Sequence, residues 1–365
     1  MSNDKNDRKK QGKILATIII LALATVLGIN AKDLIPKETS PKEDSKPYVQ
    51  AESKPKENSK PDVQEESTLK KDPKQNAEEQ EKPTETIQTV KGTLELTMID
   101  VGQADSFFFE QGDSTALIDC GTRSTGKDVV QYLKDQGITK IDYVFGTHPH
   151  DDHMGGMYDV ITNFEVGTIV LPDVTDTITT NWYLKLMNEI STGNYTTEYA
   201  EVGTTYNIGD ATFEIIGPIN APIGNLNNYS TVIKVSFGEM DVIMTGDAEK
   251  DVEADILRTG IDLNAEILKV GHHGSDTSTS TAFLDAINPQ YALISAKVGN
   301  KYNHPTAETM QNLEDRNIEV YRTDECGTVV ATIITDSVTF STSPGDYLSG
   351  PELEERSKQW KAMHP

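Results

Sequence analysis

The stretch THPHDDHMGG at residues 147–156 packs three histidines and two aspartates into six positions, in a chain with seven histidines in all. Imidazoles and carboxylates are the ligands that hold zinc, manganese or iron. His148 and His150, two apart in an extended loop, can share one ion, while Asp152 and His153 turn towards a second. Other polar residues stand where apolar runs stop: Asp119 after TALI, Asp247 after DVIMTG, and His272 and His273 after AEILKVG. Asp247 is suited to bridge two ions roughly 3.5 to 4 Å apart, a pair that supplies hydroxide at neutral pH and polarises a phosphoryl or carbonyl oxygen. The plainer readings are an acidic surface turn at 148–153, a turn carboxylate at Asp119 and a helix cap at Asp247.

These residues need strands to carry them to one place. TLELTMI, ADSFFFE and TALID read as three closely spaced strands, with EQGDS as a hairpin turn. KDVVQYLKDQG at 127–137 has apolar residues at helical spacing and a glycine stop. IDYVFGT is a buried strand that feeds the histidine cluster, GMYDVITNF a helix and VGTIVLP a strand. The second half repeats that pattern, with strands at ATFEIIGP, STVIKVSFG and MDVIMTG, a helix near 248–259, strand AEILKV, a helix near 280–287 and strand YALISA. A helix near 306–316 and the strands IEVYRT and TVVATIITDSVTFST are expected to close that half. Two mixed halves predict an α/β (α+β) fold in four layers, αββα, with the polar strand ends on one edge. Residues 172–200, around NWYLKLMNEI, read as an inserted helix or lid.

Composition divides the 365-residue chain further. Residues 14–31 carry no charge and follow the basic DRKKQGK, and roughly 20 apolar residues span a bilayer. A cytoplasmic tail at 1–13 and a transmembrane signal-anchor at 14–31 would make a single-pass protein of the cell membrane with an extracellular domain. A cleaved signal peptide is the alternative, and would release the same domain as a secreted one. Residues 32–90 are a Lys/Glu/Pro/Ser-rich linker in which SKPYVQAES returns as SKPDVQEES, too polar to offset its ordering entropy. It is long enough to span about 40 Å as a flexible chain. Residues 91–345 form the expected hydrolase domain, and 346–365 a C-terminal tail whose ELEERSKQWKAMHP reads as a short helix. Cys120 and Cys326 read as small buried residues. The domain 91–345 holds 14 Lys and Arg against 38 Asp and Glu, a net −24 of the chain's −25. That balance argues against a general nucleic-acid binder unless Lys269, Lys297, Lys301 and Arg322 line a local basic strip. It suits divalent cations.

The ordered series MIDVGQADSFFFE, LIDCG, THPHDDHMGG, MTGD, LKVGHHGSDTSTS and NKYNHPT, across residues 94–342, resembles the metallo-β-lactamase superfamily. Within it the chain is most similar to the hydrolase domain of the competence protein ComEC and its free-standing relatives. The resemblance implies an αββα metallo-β-lactamase sandwich with two divalent ions, zinc or manganese. It puts His148 and His150 on the first ion, Asp152 and His153 on the second, and Asp247 between them. Of the histidine pair, His272 after the Gly271 turn is expected on the second ion, with His273 facing substrate as an acid or phosphate contact. Asp152, Asp247 and His273 are the expected catalytic groups, and Asp119 is expected to orient a ligand histidine.

Two departures stand out. Where many members supply a further histidine to the first ion, this chain has NNYS at 227–230, leaving Asn228 and Ser230 as weak ligands or substrate contacts. ComEC also carries many membrane spans and this sequence one candidate, so a DNA uptake channel is not expected of it alone. His304, before Pro305, is expected to cap the helix near 306–316 and meet a phosphate there. Ser275 lies in a hydroxyl-rich loop suited to substrate contact, and Lys269 reads equally as a salt-bridge partner or a substrate clamp. The expected function is a membrane-tethered, extracellular, dinuclear metal-dependent hydrolase of phosphoesters, a phosphodiesterase or DNase-like enzyme acting on DNA or a cell-wall polymer. A choline-phosphate-type wall esterase and a metal-binding surface module without turnover are the alternatives. No protein partner is inferable.

Overall fold

The computed structural model describes residues 90–220 and 224–364. The basic tail, the expected membrane segment and all of the expected linker but Val90 lie outside the described residues. Among the described residues no helix is long and apolar enough to cross a membrane.

Strands β1 (Leu94–Met98), β2 (Phe107–Gln111) and β3 (Ser114–Ile118) form an antiparallel meander. Helix α1 (Gly126–Asp135) returns the chain to β4 (Lys140–Phe145), parallel to β3. Two short turns, α2 (Asp151–Met154) and α3 (Met157–Ile161), lead to β5 (Glu165–Leu171). Helix α4 (Asn181–Thr192) then leads to the edge strand β6 (Thr196–Tyr199), again parallel. Leu186 and Ile190 of α4 are buried against the sheet, so the helix expected within 172–200 is present and forms the crossover from β5 to β6. Parallel strands need such a connection.

The second sheet repeats the plan. Strands β7 (Thr205–Ile208), β8 (Ala211–Gly217), β9 (Val232–Phe237) and β10 (Met240–Met244) are antiparallel. Helices α5 (Lys250–Thr259), α6 (Thr281–Ile287) and α7 (Ala307–Glu314) then connect the parallel β11 (Ile267–Lys269), β12 (Tyr291–Ile294) and β13 (Glu319–Arg322).

The end of the chain departs from expectation. After the turn α8 (Thr323–Cys326), β14 (Val329–Ile334) and β15 (Ser337–Phe340) join the first sheet beside β1, not the second. Pairing with β14 covers the free edge of β1, which would otherwise expose unpaired backbone groups. It also turns Val329, Ala331 and Ile333 into the core between the sheets. Helix α9 (Gly350–Met363) starts at a Ser349–Glu352 capping box and buries Leu353.

Alternation along each strand separates the layers. Phe107 and Phe109 face the second sheet, where Phe109 meets the Phe213 ring edge-on at 4.9 Å, whereas Phe108 faces the α1–α4 side. Val252, Ile256, Phe283, Leu284 and Leu313 cover the other sheet from outside. The result is the αββα order. Cys120 is buried, but Cys326 is only half-buried, against expectation; neither is in a disulfide.

Candidate metal centre

The polar residues leave the carboxyl ends of β3, β4, β10, β11 and β12 and meet on one edge of the sandwich. Asp119 follows β3 in a left-handed conformation (φ 60°) that turns its carboxylate beneath the loop after β4. There it accepts hydrogen bonds from Thr147 N (2.8 Å) and Thr147 Oγ1 (2.7 Å), and from His153 Nδ1 (2.7 Å). With Nδ1 committed, His153 turns Nε2 towards Asp247 Oδ1, 3.2 Å away. His148 Nδ1 is held between Thr147 Oγ1 (3.1 Å) and Ser230 Oγ (3.2 Å). Its Nε2 lies 3.0 Å from His150 Nδ1 and 3.8 Å from Asp247 Oδ2. Asp247 sits in the turn after β10 and does not cap α5, whose N-cap is Glu249.

The histidine pair after β11 places its two rings differently from the expectation. His273 is buried; its Nδ1 donates to Ser295 O (3.0 Å), and its Nε2 stands 3.7 Å from Asp152 Oδ2 and 3.8 Å from Asp247 Oδ1. His272, expected in that position, is the more exposed of the two. Its Nε2 is 3.6 Å from Asp247 Oδ2 and its Nδ1 3.2 Å from Thr277 Oγ1. Both residues are left-handed (φ 51° and 54°), so the tight turn, and not the order along the chain, decides which ring points inward.

The donor set fits two cations. His148, His153 and Asp247 place ligand atoms within 4.8 Å of one another, and so do Asp152, His153 and His273. His153 Nε2, Asp247 Oδ1 and His273 Nε2 are buried with no hydrogen-bond partner, although buried polar atoms are normally satisfied. Burial holds His148, and less strongly His150 and His272, below the ordinary imidazole range. Burial opposes charge on His153 too, yet Asp247 and Asp119 keep its pKa well above normal; Asp247 and Asp105 likewise raise that of His273. Burial also opposes charge on Asp152 and Asp247, and the facing imidazoles nevertheless hold both carboxyls below their usual range. The carboxylates are thus ionised against a positive charge that a divalent cation would also supply, in exchange for protons.

Several expected substrate contacts are committed elsewhere. Lys269 is buried and ion-paired with Asp105 (2.8 Å), so it is a salt-bridge partner and no substrate clamp. Arg322 is buried against Asp324, which leaves only Lys297 and Lys301 of the expected basic strip exposed. Asn228 Oδ1 accepts from Glu249 N (3.1 Å), and fully buried Ser230 accepts from Asp247 N (2.9 Å). NNYS therefore supports the backbone of the Asp247 turn. Ser275 is buried, with its hydroxyl 3.0 Å from Thr277 Oγ1 in its own loop. Thr306, not His304, caps α7. The His304 ring lies 5.5 Å from that of His272 and 5.7 Å from that of Tyr302, with Nδ1 unpartnered. Burial and the neighbouring imidazoles of His272 and His273 push its pKa down to about 4.

Residue types and spacing did not point to Asp105, Thr147, Ser295 or Glu249. Asp105 left a trace in the sequence, a carboxylate directly before the apolar SFFF; the others act through hydroxyl, backbone or loop contacts that no spacing announces.

A sequence profile described as the Metallo-beta-lactamase superfamily matches residues 99–296. The chain is 31% identical over 253 residues to ComE operon protein 3 of Bacillus subtilis, covering 64% of this chain and 32% of that protein. It is 28% identical over 247 residues to Recombination protein 2 of Haemophilus influenzae, covering 66% and 29%. Competence protein ComA of Neisseria gonorrhoeae is 27% identical over 234 residues, covering 64% and 31%. The chain spans about a third of the length of these curated relatives.

Proposed function

From a chain that belongs to the metallo-β-lactamase superfamily, whose members are generally metal-dependent hydrolases, we propose a dinuclear phosphodiesterase held at the outer face of the cell membrane. The observation that carries this reading is the set of buried, unpartnered ligand atoms, His153 Nε2, Asp247 Oδ1 and His273 Nε2, facing one another at the strand ends. His148 and His150 would hold the first ion; Asp152, His153 and His273 would hold the second, with Asp247 shared. Two divalent ions, zinc or manganese, would there supply Lewis acidity and a water of lowered pKa.

The chain's own groups do the rest. Asp119 and Ser295 O fix His153 and His273 through Nδ1, leaving each Nε2 turned inward. His272 takes the substrate-facing place beside Asp247. His304, neutral at pH 7 and next to His272, is suited to meet a phosphate as a hydrogen-bond donor.

A phosphate polymer, with DNA first, is the proposed substrate class. Relatives named for competence and recombination support it. So do exposed Lys297 and Lys301 in an otherwise acidic domain, the latter three residues before His304. The uncharged run at 14–31 and its basic flank support the anchored, extracellular location.

The test is to strip the purified chain of metal, restore zinc or manganese, and measure hydrolysis of an aryl phosphodiester, single-stranded DNA and a choline-phosphate polymer. Metal-dependent turnover of the aryl ester and of DNA is expected. Turnover of the wall polymer alone would replace the substrate class, and two bound ions without turnover would make the domain a metal-binding module.

A further inference from the structure

We propose that the buried Asp105–Lys269 ion pair is a positioning clamp between the two sheets, which sets His153 and His273 together and thereby tunes the second metal site. This rests on the two-ion reading above and goes beyond it, because neither residue belongs to the ligand set.

The two partners come from opposite halves. Asp105 lies in the β1–β2 connection of the first sheet, and Lys269 ends β11 in the second. Nζ and Oδ2 are 2.8 Å apart, and both side chains are at most 2% exposed. The same carboxylate stands behind both imidazoles, with Oδ1 3.4 Å from His273 Nδ1 and Oδ2 3.8 Å from His153 Nδ1. Asp105 Oδ1 has no hydrogen-bond partner and faces the His273 ring.

The backbone of Asp105 reinforces the arrangement. Its N–H donates to Asp152 O (3.0 Å), and its carbonyl accepts from Gly121 N (2.8 Å). Lys269 Nζ in turn donates to Val270 O (3.0 Å), at the start of the turn that carries His272 and His273. One ion pair therefore touches the loop of each half.

Asp105, Asp119 and His153 also lie close enough to hold a cation. The ammonium of Lys269 already supplies that charge, so the cluster serves as an electrostatic backing and not a third metal site. A buried ion pair often stabilises a fold no more than a well-packed apolar pair would. Fixing geometry is the property it adds here, and partners behind metal-binding imidazoles tune affinity in this way.

Calorimetric titration of Co2+ into the metal-stripped full chain tests this, with the visible spectrum of each bound ion followed in parallel. In Asp105→Asn, and in Asp105→Asn/Lys269→Gln, which leaves no lone buried charge, the step assigned to Asp152, His153 and His273 should lose roughly 10- to 100-fold in affinity. Its Co2+ spectrum should shift, while the step assigned to His148 and His150 changes less than about threefold and the metal-free melting curve of the double variant stays in place. Equal weakening of both steps, or of neither, would make the pair a packing feature and overturn the clamp. Absence of any binding by the unaltered chain would overturn the clamp and the two-ion reading together. Two intact sites without phosphoester turnover would overturn only the proposed activity.

Discussion

In the first half of the sandwich, four candidate ligands lie within the six residues 148–153, on one loop and the helical turn it enters. In the second half, Asp247 and His273 are 26 positions apart, on separate strand ends, and meet only because β10 and β11 run side by side in parallel. The first cluster is oriented by near neighbours, Thr147 among them. The second depends on a left-handed two-histidine turn and on Ser295 O, which arrives from a third strand. A centre assembled this way can keep half of its ligands locally encoded, but its completeness is a property of packing between sheets.

Removing the group that both halves share should have the largest effect. Asp247→Asn should abolish metal-dependent phosphodiester hydrolysis, by about 10³-fold or more if several kcal/mol of charge stabilisation are lost. Turnover assays alongside metal content would check it, and retained activity would remove Asp247 from the centre.

Next comes the division of labour in the second half. His273→Gln should weaken metal binding by roughly 10- to 100-fold or more, whereas His272→Gln should spare binding and lower turnover. The reverse pattern, read by titration and kinetics together, would restore the order expected from the sequence.

Packing provides a third contrast. A Cβ on Gly156 would run into the backbone of Cys120 and Gly126, which cannot move aside; one on Gly271 would meet the Ser278 side chain at 2.9 Å. Chemical denaturation should show Gly156→Ala destabilised by about 3 kcal/mol and Gly271→Ala by about 1 kcal/mol. Equal losses would mean that the two turns are equally tight.

The smallest expected effect concerns acid. His304 is held at a pKa of about 4 in the fold, against about 6.5 when unfolded. The unfolded chain therefore takes up the proton first, so this contribution is intact above pH about 6.5 and lost as pH falls towards 4. Metal-free melting temperatures should fall less steeply across that window in His304→Gln; identical slopes would show that the ring is not held neutral.

Much of this was legible in residue types and spacing. Apolar runs ending in Asp119, His148, Asp247 and His272 marked strand ends, because a strand that is buried on both faces reads as a nearly continuous hydrophobic stretch. The β14–β15 hairpin looked the same whichever sheet received it, since alternation specifies a buried face and not a partner. Lys269 was ambiguous for a similar reason: a lysine at a strand end is clamp or ion pair according to what lies opposite, and Asp105 is 164 residues away in sequence.

What the sequence by itself determined is the chemistry on offer: an acidic domain, a His/Asp series at strand ends, and the periodicities that build two mixed sheets. Only the tertiary structure decided which atoms face inward. It buries His273 beside Asp152 and leaves His272 more exposed, turns Asn228 and Ser230 to the backbone of Glu249 and Asp247, and pairs Lys269 with Asp105. Ligand geometry depends on distances of a few ångströms between strands remote in sequence, and those distances are set by packing across the sandwich, which no local spacing records.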